Sequence, residues 1–162
     1  MYDYASIVPV ASFALLPFSA LYVIISTSII RRRLGPSVES FVPRFHYQFC
    51  GVLFLSPALI ALAWYRGFIS LPLFALCAVG VIGFFIAFRE LYISRMTGVY
   101  ENGVLWSNGH VYFDDLDSLV QVDAFTLNFV DLDGHERIFS VGDESLVTRM
   151  YERVKKSVPT LK

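Results

Sequence analysis

Three long runs without a charged residue constrain this chain more than any other feature of its sequence. The runs cover residues 5–30, 47–65 and 67–88, and they are 26, 19 and 22 residues long. A helix needs about 20 apolar residues to cross the hydrocarbon core of a bilayer. We therefore predict three transmembrane α-helices, with spans near residues 7–30, 47–65 and 68–88, and we expect a membrane protein.

The composition and the flanking charges agree with helices that stay in the membrane. Of all residues 56% are hydrophobic and 17% are charged, and the mean hydropathy is +0.57. A soluble domain carries about 25% charged residues. Arg31 to Arg33 follow the first run, whereas a signal peptide has its basic residues before the apolar stretch, so we expect the first helix to be retained. In the third run, Gly80 and Gly83 give a small-residue face that favours close helix packing.

The arginines beside the spans predict the orientation of the chain. The connection between the first and second spans carries four of them: Arg31, Arg32, Arg33 and Arg44. The turn between the second and third spans carries only Arg66. By the positive-inside rule, we expect an inner (plasma) membrane protein whose N-terminus lies outside and whose C-terminal part is cytoplasmic. The same four arginines form the membrane-surface site that we predict, because basic clusters beside a span attract anionic lipids.

Beyond about residue 96 the apolar segments become short, and turn signals separate them. Turns are predicted at three pairs of residues, Asn102-Gly103, Asn108-Gly109 and Asp133-Gly134, and at residues 114–117. We predict about six short antiparallel strands. A C-terminal helix follows near residues 143–158, where apolar residues recur at helical spacing.

The change of pattern predicts two domains. Residues 1–96 form the transmembrane domain, with residues 31–46 as a polar connection inside it, and residues 97–162 form a soluble cytoplasmic β domain. At about 65 residues the second domain is small enough to be only marginally stable by itself. We therefore expect it to pack against the membrane helices or against a second copy of the chain.

Two short motifs in the second domain carry a resemblance. They are Tyr100-Glu-Asn-Gly103-Val-Leu and the aromatic-acidic step Tyr112-Phe-Asp-Asp-Leu116, followed by paired strands and a terminal helix. This order resembles the bacterial pleckstrin-homology-like (PH-like) domains over about residues 97–158. Helices followed by such a short domain look like the YcxB-like membrane proteins. The resemblance implies a PH-like β-sheet domain on the cytoplasmic face, with no enzymatic activity attached.

The charge of the two parts differs and restricts the partners. Residues 1–90 hold six arginines against three acidic residues, whereas residues 91–162 hold seven basic residues against eleven acidic ones. Binding to nucleic acid needs a basic face, so we expect no nucleic-acid partner for the second part. A phosphoinositide pocket is basic too, so the acidic balance favours a protein partner for this domain.

No group of residues predicts a catalytic, cofactor or metal site. The sequence Asp131-x-Asp133-Gly134 is similar to the start of a calcium loop, but the twelfth position, which should be Glu, is Gly142. We expect a hydrogen-bonded Asx turn there instead. The histidines lack the spacing of a helical metal site: His46, His110 and His135. We predict no catalytic residues, no cofactor, no metal and no small-molecule substrate.

We therefore expect a non-enzymatic integral membrane protein that presents its cytoplasmic domain for binding or scaffolding. Its partners would be membrane lipids and a protein, which is either a different chain or a second copy of this one. The alternative is an immunity or accessory protein that neutralises a membrane-acting toxin. The predicted outer segments, residues 1–4 and 66–70, are very short, so recognition in that alternative would be intramembrane or cytoplasmic.

Overall fold

The computed structural model describes residues 4–41 and 47–158, which form two compact units. The first unit comprises Met1–Thr27 and Phe45–Tyr92, and the second comprises Ser28–Arg44 and Ile93–Lys162. The boundary therefore differs from a division at residue 96. The end of the first helix and the residues that follow it belong with the strands rather than with the other helices.

Three long helices account for the apolar runs. They are α1 (Tyr4–Leu34), α2 (Tyr47–Tyr65) and α3 (Ser70–Ser94). All three are long and apolar enough to cross a membrane, which confirms the three predicted helices. Polarity does not end α1, because the helix continues through the arginines that follow its apolar run. It ends where Gly35 adopts a positive φ of 80°, a conformation that glycine reaches without strain.

Close packing of α2 and α3 depends on two glycines in α3. A Cβ added at Gly80 would lie 2.7 Å from Cγ1 of Ile60 and 2.8 Å from the carbonyl oxygen of Ser56. A Cβ at Gly83 would lie 3.0 Å from the Ser56 hydroxyl. These contacts confirm the predicted small-residue face. The apolar core of this unit has Ile60 at its centre, where the side chain is fully buried.

The second unit contains two antiparallel sheets and a helix. The first sheet has four strands in chain order: β1 (Ser37–Ser40), β2 (Gly98–Tyr100), β3 (Gly103–Trp106) and β4 (Gly109–Tyr112). The second sheet has three strands: β5 (Leu116–Asp123), β6 (Thr126–Asp131) and β7 (Glu136–Ser140). A C-terminal helix, α4 (Glu144–Ser157), completes the unit. This confirms the predicted class of three apolar helices followed by a small antiparallel β-sheet unit with a C-terminal helix.

The unpredicted strand is β1, which lies in the segment predicted as a polar connection. It pairs antiparallel with β2, so that Ser40 is opposite Gly98, and the Phe41 N–H donates to the Thr97 carbonyl at 2.8 Å. In chain order, α2 and α3 are therefore an insertion between two strands that are neighbours in one sheet. The strand was missed because Val38 is its single apolar residue and that side chain is exposed.

The predicted turn at residues 114–117 also differs from the structure. A single 3-10 turn covers Phe113–Asp115, and β5 begins at Leu116. The side chain of Leu116 is 7% exposed and belongs to the core, so it cannot lie in a solvated turn. Burial of one apolar residue thus moves the start of the strand into the acidic segment.

One apolar core holds both sheets and α4 together. Trp106 stacks on Phe129 with ring centroids 5.1 Å apart, so that a residue of the first sheet packs on one of the second. The inner side of α4 contributes four buried apolar residues: Leu146, Val147, Met150 and Val154. Asp143 caps the helix, because its side chain accepts a hydrogen bond from the Ser145 N–H at 3.0 Å.

Candidate functional site

The predicted arginine site lies in the last turn of α1. Arg31, Arg32 and Arg33 are all exposed there. Among residues 4–41 and 47–158, no carboxylate lies within 4.0 Å of their guanidinium groups. The fourth predicted residue, Arg44, lies outside the described residues. The structure therefore brings three of the four predicted residues together, with their positive charges uncompensated at close range.

The turn between β2 and β3 fixes the end of α1. The side-chain amide of Asn102 donates to the carbonyl of Arg33 at 3.2 Å, and the Asn102 N–H donates to the carbonyl of Leu34 at 3.0 Å. The Gly35 N–H donates to the Arg31 carbonyl at 3.2 Å. The last carbonyls of a helix have no partner within the helix, and here three of them are satisfied by residues that follow it. The arginine-bearing turn is thereby held against the sheet.

A shallow cleft of about 380 Å³ opens beside these arginines. Ser28, Arg31, Arg32 and Gly35 line it. Ser28, Arg31 and Arg32 lie on one side of α1, because they are spaced by three and four residues from Ser28, and Gly35 follows the end of the helix. Arg33 does not line the cleft, and its carbonyl is bonded to the neighbouring turn.

Tyr100 lies close enough to Arg31 for the charge of the arginine to act on the pKa of its hydroxyl. Burial raises the pKa of the Tyr100 hydroxyl above its ordinary value, and the Arg31 guanidinium acts in the opposite direction. The hydroxyl donates to the Met96 carbonyl at 2.7 Å. The Tyr100 hydroxyl therefore stays neutral and hydrogen-bonded, and it adds no negative charge beside Arg31.

A second cleft, of about 260 Å³, lies at the turn between β6 and β7. Tyr112, Asp115, Asp131 and Arg137 are among the residues that line it. The His135 N–H donates to Oδ1 of Asp131 at 2.8 Å, and this bond is the main reason why the pKa of the Asp131 carboxyl lies below its ordinary value. The nearby charges of His135 and Arg137 lower that pKa further. Asp131 therefore remains ionised within a hydrogen-bonded turn.

The same turn brings together three groups that are able to bind a cation. Ligand atoms of Asp131, Asp133 and His135 all lie within 4.8 Å of one another. However, the Asp131 carboxylate already accepts the His135 N–H, and the Arg137 guanidinium lies 3.5 Å from its other oxygen. A metal ion would have to share this carboxylate with a guanidinium. The Asp131 carboxylate is hydrogen-bonded within the turn, as predicted, but the bond comes from the His135 N–H, four residues along, whereas an Asx turn is closed by the N–H two residues along. Gly134 has a φ of 81°.

Exposed apolar side chains, which the sequence did not reveal, lie among polar ones on the outer side of the second sheet. Val120 in β5, Asn128 in β6 and Ile138 in β7 stand opposite one another across the three strands. Val120 is 50% exposed and Ile138 is 60% exposed. Val122, which lies further along β5 at an irregularity in the pairing with β6, is 62% exposed. We call Val120, Val122, Asn128 and Ile138 the outer sheet face. The strand register is needed to find it, because these residues are separated in sequence by two turns.

Comparisons with known proteins add no relative. No protein-family model matches this chain, and no curated protein or solved structure matches it either.

Proposed function

We propose that this chain is a non-enzymatic integral protein of the inner membrane whose small cytoplasmic domain binds a protein partner through the outer sheet face. The observation that carries the proposal is the row of exposed apolar side chains Val120, Val122 and Ile138 on a sheet whose other side is the core. Asn128 separates Val120 from Ile138, but several exposed apolar residues on one side of a sheet still favour an interaction site over singly scattered ones.

The chemistry of the outer sheet face favours a protein over a lipid surface. The Asn128 amide donates to the Glu136 carboxylate at 3.0 Å, which places a negative charge at the edge of the apolar row. Residues 91–162 have eleven acidic against seven basic residues, so anionic headgroups are repelled from this domain. We expect the partner segment to carry apolar residues with basic residues around them.

The pairing of β1 with β2 supports the proposed topology. These strands lie on either side of the inserted helices α2 and α3, and they are neighbours in one sheet. They must therefore lie on the same side of the membrane. Two crossings, one by α2 and one by α3, return the chain to that side. The arginines at the end of α1 then favour the cytoplasmic side. Antiparallel strands followed by one C-terminal helix also support a PH-like domain.

The proposal is tested by photo-crosslinking in cells that produce the full-length protein. A photoreactive amino acid at Val122 is expected to give an adduct with a protein, whose mass identifies a second copy or a different chain. The substitution Ile138→Asp is expected to remove that adduct, because it places a buried charge at the interface. The control site is Thr148, which is exposed on α4.

Two results would overturn the proposal. One is an adduct at Val122 that persists in the Ile138→Asp variant at unchanged yield. The other is an adduct of equal yield at Thr148, since it would show unspecific collision rather than a docking face.

A further inference from the structure

We propose that the cleft at the end of α1 binds the phosphate group of an anionic phospholipid through Arg31 and Arg32. The inference rests on the membrane insertion included in the proposed function, but it does not depend on the partner of the outer sheet face. It goes beyond a general attraction of basic residues to the membrane, because it assigns the lipid to one side of one helix.

The geometry of the cleft supplies the donors that a phosphate needs. Arg31 and Arg32 line it together with Ser28, which lies within the uncharged run, and Gly35, which follows the helix. A guanidinium presents planar pairs of N–H donors that match phosphate oxygens, and such charge-assisted bonds are stronger than neutral ones. Gly35 has no side chain that would narrow the cleft. Two arginines therefore line a space that an oxygen-bearing anion can enter.

The position along α1 corresponds to the headgroup layer. The uncharged run at residues 5–30 is about 39 Å long at 1.5 Å per residue. The hydrocarbon core is about 30 Å thick, and the bilayer with its headgroups is about 40–45 Å thick. Arg31 and Arg32 follow this run directly, so they stand at the level where lipid phosphates lie. A phospholipid reaches this cleft without leaving the membrane.

The surrounding residues hold the cleft in place and leave its charge available. Asn102 fixes the backbone at Arg33 and Leu34, so the helix end does not have to become ordered when a lipid binds. Among the described residues, no carboxylate lies within 4.0 Å of Arg31 or Arg32. An acidic group, the carboxylate of Glu101, lies beside Gly35: its Oε2 would be 3.6 Å from a Cβ added at Gly35. This carboxylate limits affinity for an anion but does not neutralise two arginines.

A comparison with Arg33 distinguishes a defined phosphate site from a diffuse attraction of arginines to the anionic membrane surface. It carries the same charge and stands next to Arg32, but it does not line the cleft. The surface potential of an anionic membrane favours each nearby arginine by about fivefold in binding, whichever way its side chain points. A defined site adds hydrogen bonds that only Arg31 and Arg32 are placed to make.

The test uses the full-length protein in vesicles of phosphatidylcholine that contain a fraction of phosphatidylglycerol. After detergent extraction, the phosphatidylglycerol that remains bound is counted by native mass spectrometry. We expect Arg31→Gln and Arg32→Gln to lower its retention about tenfold or more, and Arg33→Gln to lower it about fivefold or less. Glu101→Gln is expected to raise retention. Circular dichroism of each variant checks that the fold is intact.

Further experiments determine whether the bound phosphate belongs to a phospholipid or is free inorganic phosphate. Vesicles of phosphatidylcholine alone are expected to leave no retained lipid that depends on Arg31. Millimolar inorganic phosphate, added during extraction, is expected to leave phosphatidylglycerol bound, because the acyl chains hold it beside α1. Equal losses in all three arginine variants would contradict the site and leave only surface attraction. Displacement by free phosphate would also overturn the assignment, since it would show a site for the soluble anion.

Discussion

Asn102 closes the end of the first helix by donating its side-chain amide to the Arg33 carbonyl at 3.2 Å. Its backbone N–H bonds to the next carbonyl, that of Leu34, at 3.0 Å. The hairpin turn that contains Asn102 therefore both reverses the chain between β2 and β3 and caps α1. A residue in a turn of the sheet thus controls how firmly the arginines of the cleft are held.

Replacing Asn102 with alanine is expected to destabilise the second unit by about 1 kcal/mol, because one side-chain hydrogen bond is lost while the backbone bond remains. The measurement is thermal unfolding of the purified protein in detergent. Asn108→Ala is the matched control, since Asn108 is an exposed asparagine in the next hairpin turn. Equal effects of the two substitutions would contradict the capping role.

The packing of α2 against α3 predicts a large difference between two glycine substitutions. Gly80→Ala places a Cβ within 2.8 Å of the Ser56 carbonyl oxygen, so the helices have to separate. We expect a loss of about 1–3 kcal/mol in stability, measured by unfolding in mixed detergent. Gly51→Ala in α2 is the control, because an added Cβ there meets no atom within 4 Å. The packing would be disproved by a Gly80→Ala variant as stable as the control.

The buried side of α4 is expected to supply much of the stability of the sheet unit. Met150 is fully buried against the sheets, and Met150→Ala should lower the free energy of unfolding by about 2–5 kcal/mol. Thr148→Ala, on the exposed side of the same helix, should change it by less than about 0.5 kcal/mol. Chemical denaturation followed by tryptophan fluorescence reports on this unit, because Trp106 lies in its core. A difference near zero between the variants would show that α4 does not pack as described.

The turn around Asp131 predicts a specific dependence on pH. The pKa of the Asp131 carboxyl is lower in the folded chain than the value of about 3.9 typical of unfolded chains, so folding favours the ionised form. The stability that this carboxylate contributes is complete above about pH 4 and is lost as the pH falls through the lower, folded-state pKa. Asp131→Asn should therefore be less stable than the parent protein at neutral pH.

At acid pH the difference between Asp131→Asn and the parent should shrink, which unfolding curves from pH 2 to pH 7 measure. Asp133→Asn is the control, because its exposed side chain makes none of the bonds that lower the pKa of Asp131. A constant difference between Asp131→Asn and the parent across this range would refute the role of the charge.

The sequence predicts the helices and most strands because their signals are local. Uncharged runs mark α2 at residues 47–65, and turn pairs such as Asn102-Gly103 mark the hairpins. Strand β1 has no local signal, since its partner strand begins at Gly98, on the far side of α2 and α3 in the chain. Burial of Leu116 likewise depends on the distant core and not on its acidic neighbours.

The candidate sites likewise have features with a local signal in the sequence and features that depend on long-range contacts. The sequence predicts a basic site that includes Arg31 and Arg32, but not that these two line a cleft without Arg33. The bond from Asn102 to Arg33 is not predicted either, because it joins residues on either side of the inserted helices. The outer sheet face also depends on long-range register, since Val120 meets Ile138 only through the strand between them.

We expect three helices to cross the membrane and to leave the sheet unit in the cytoplasm. This topology is tested by fusing a reporter that is active only outside the cytoplasm at two places, after Lys162 and at Gly67 in the turn before α3. The three-span topology predicts no signal from the fusion after Lys162 and a strong signal from the fusion at Gly67. A strong signal after Lys162, together with none at Gly67, would contradict it.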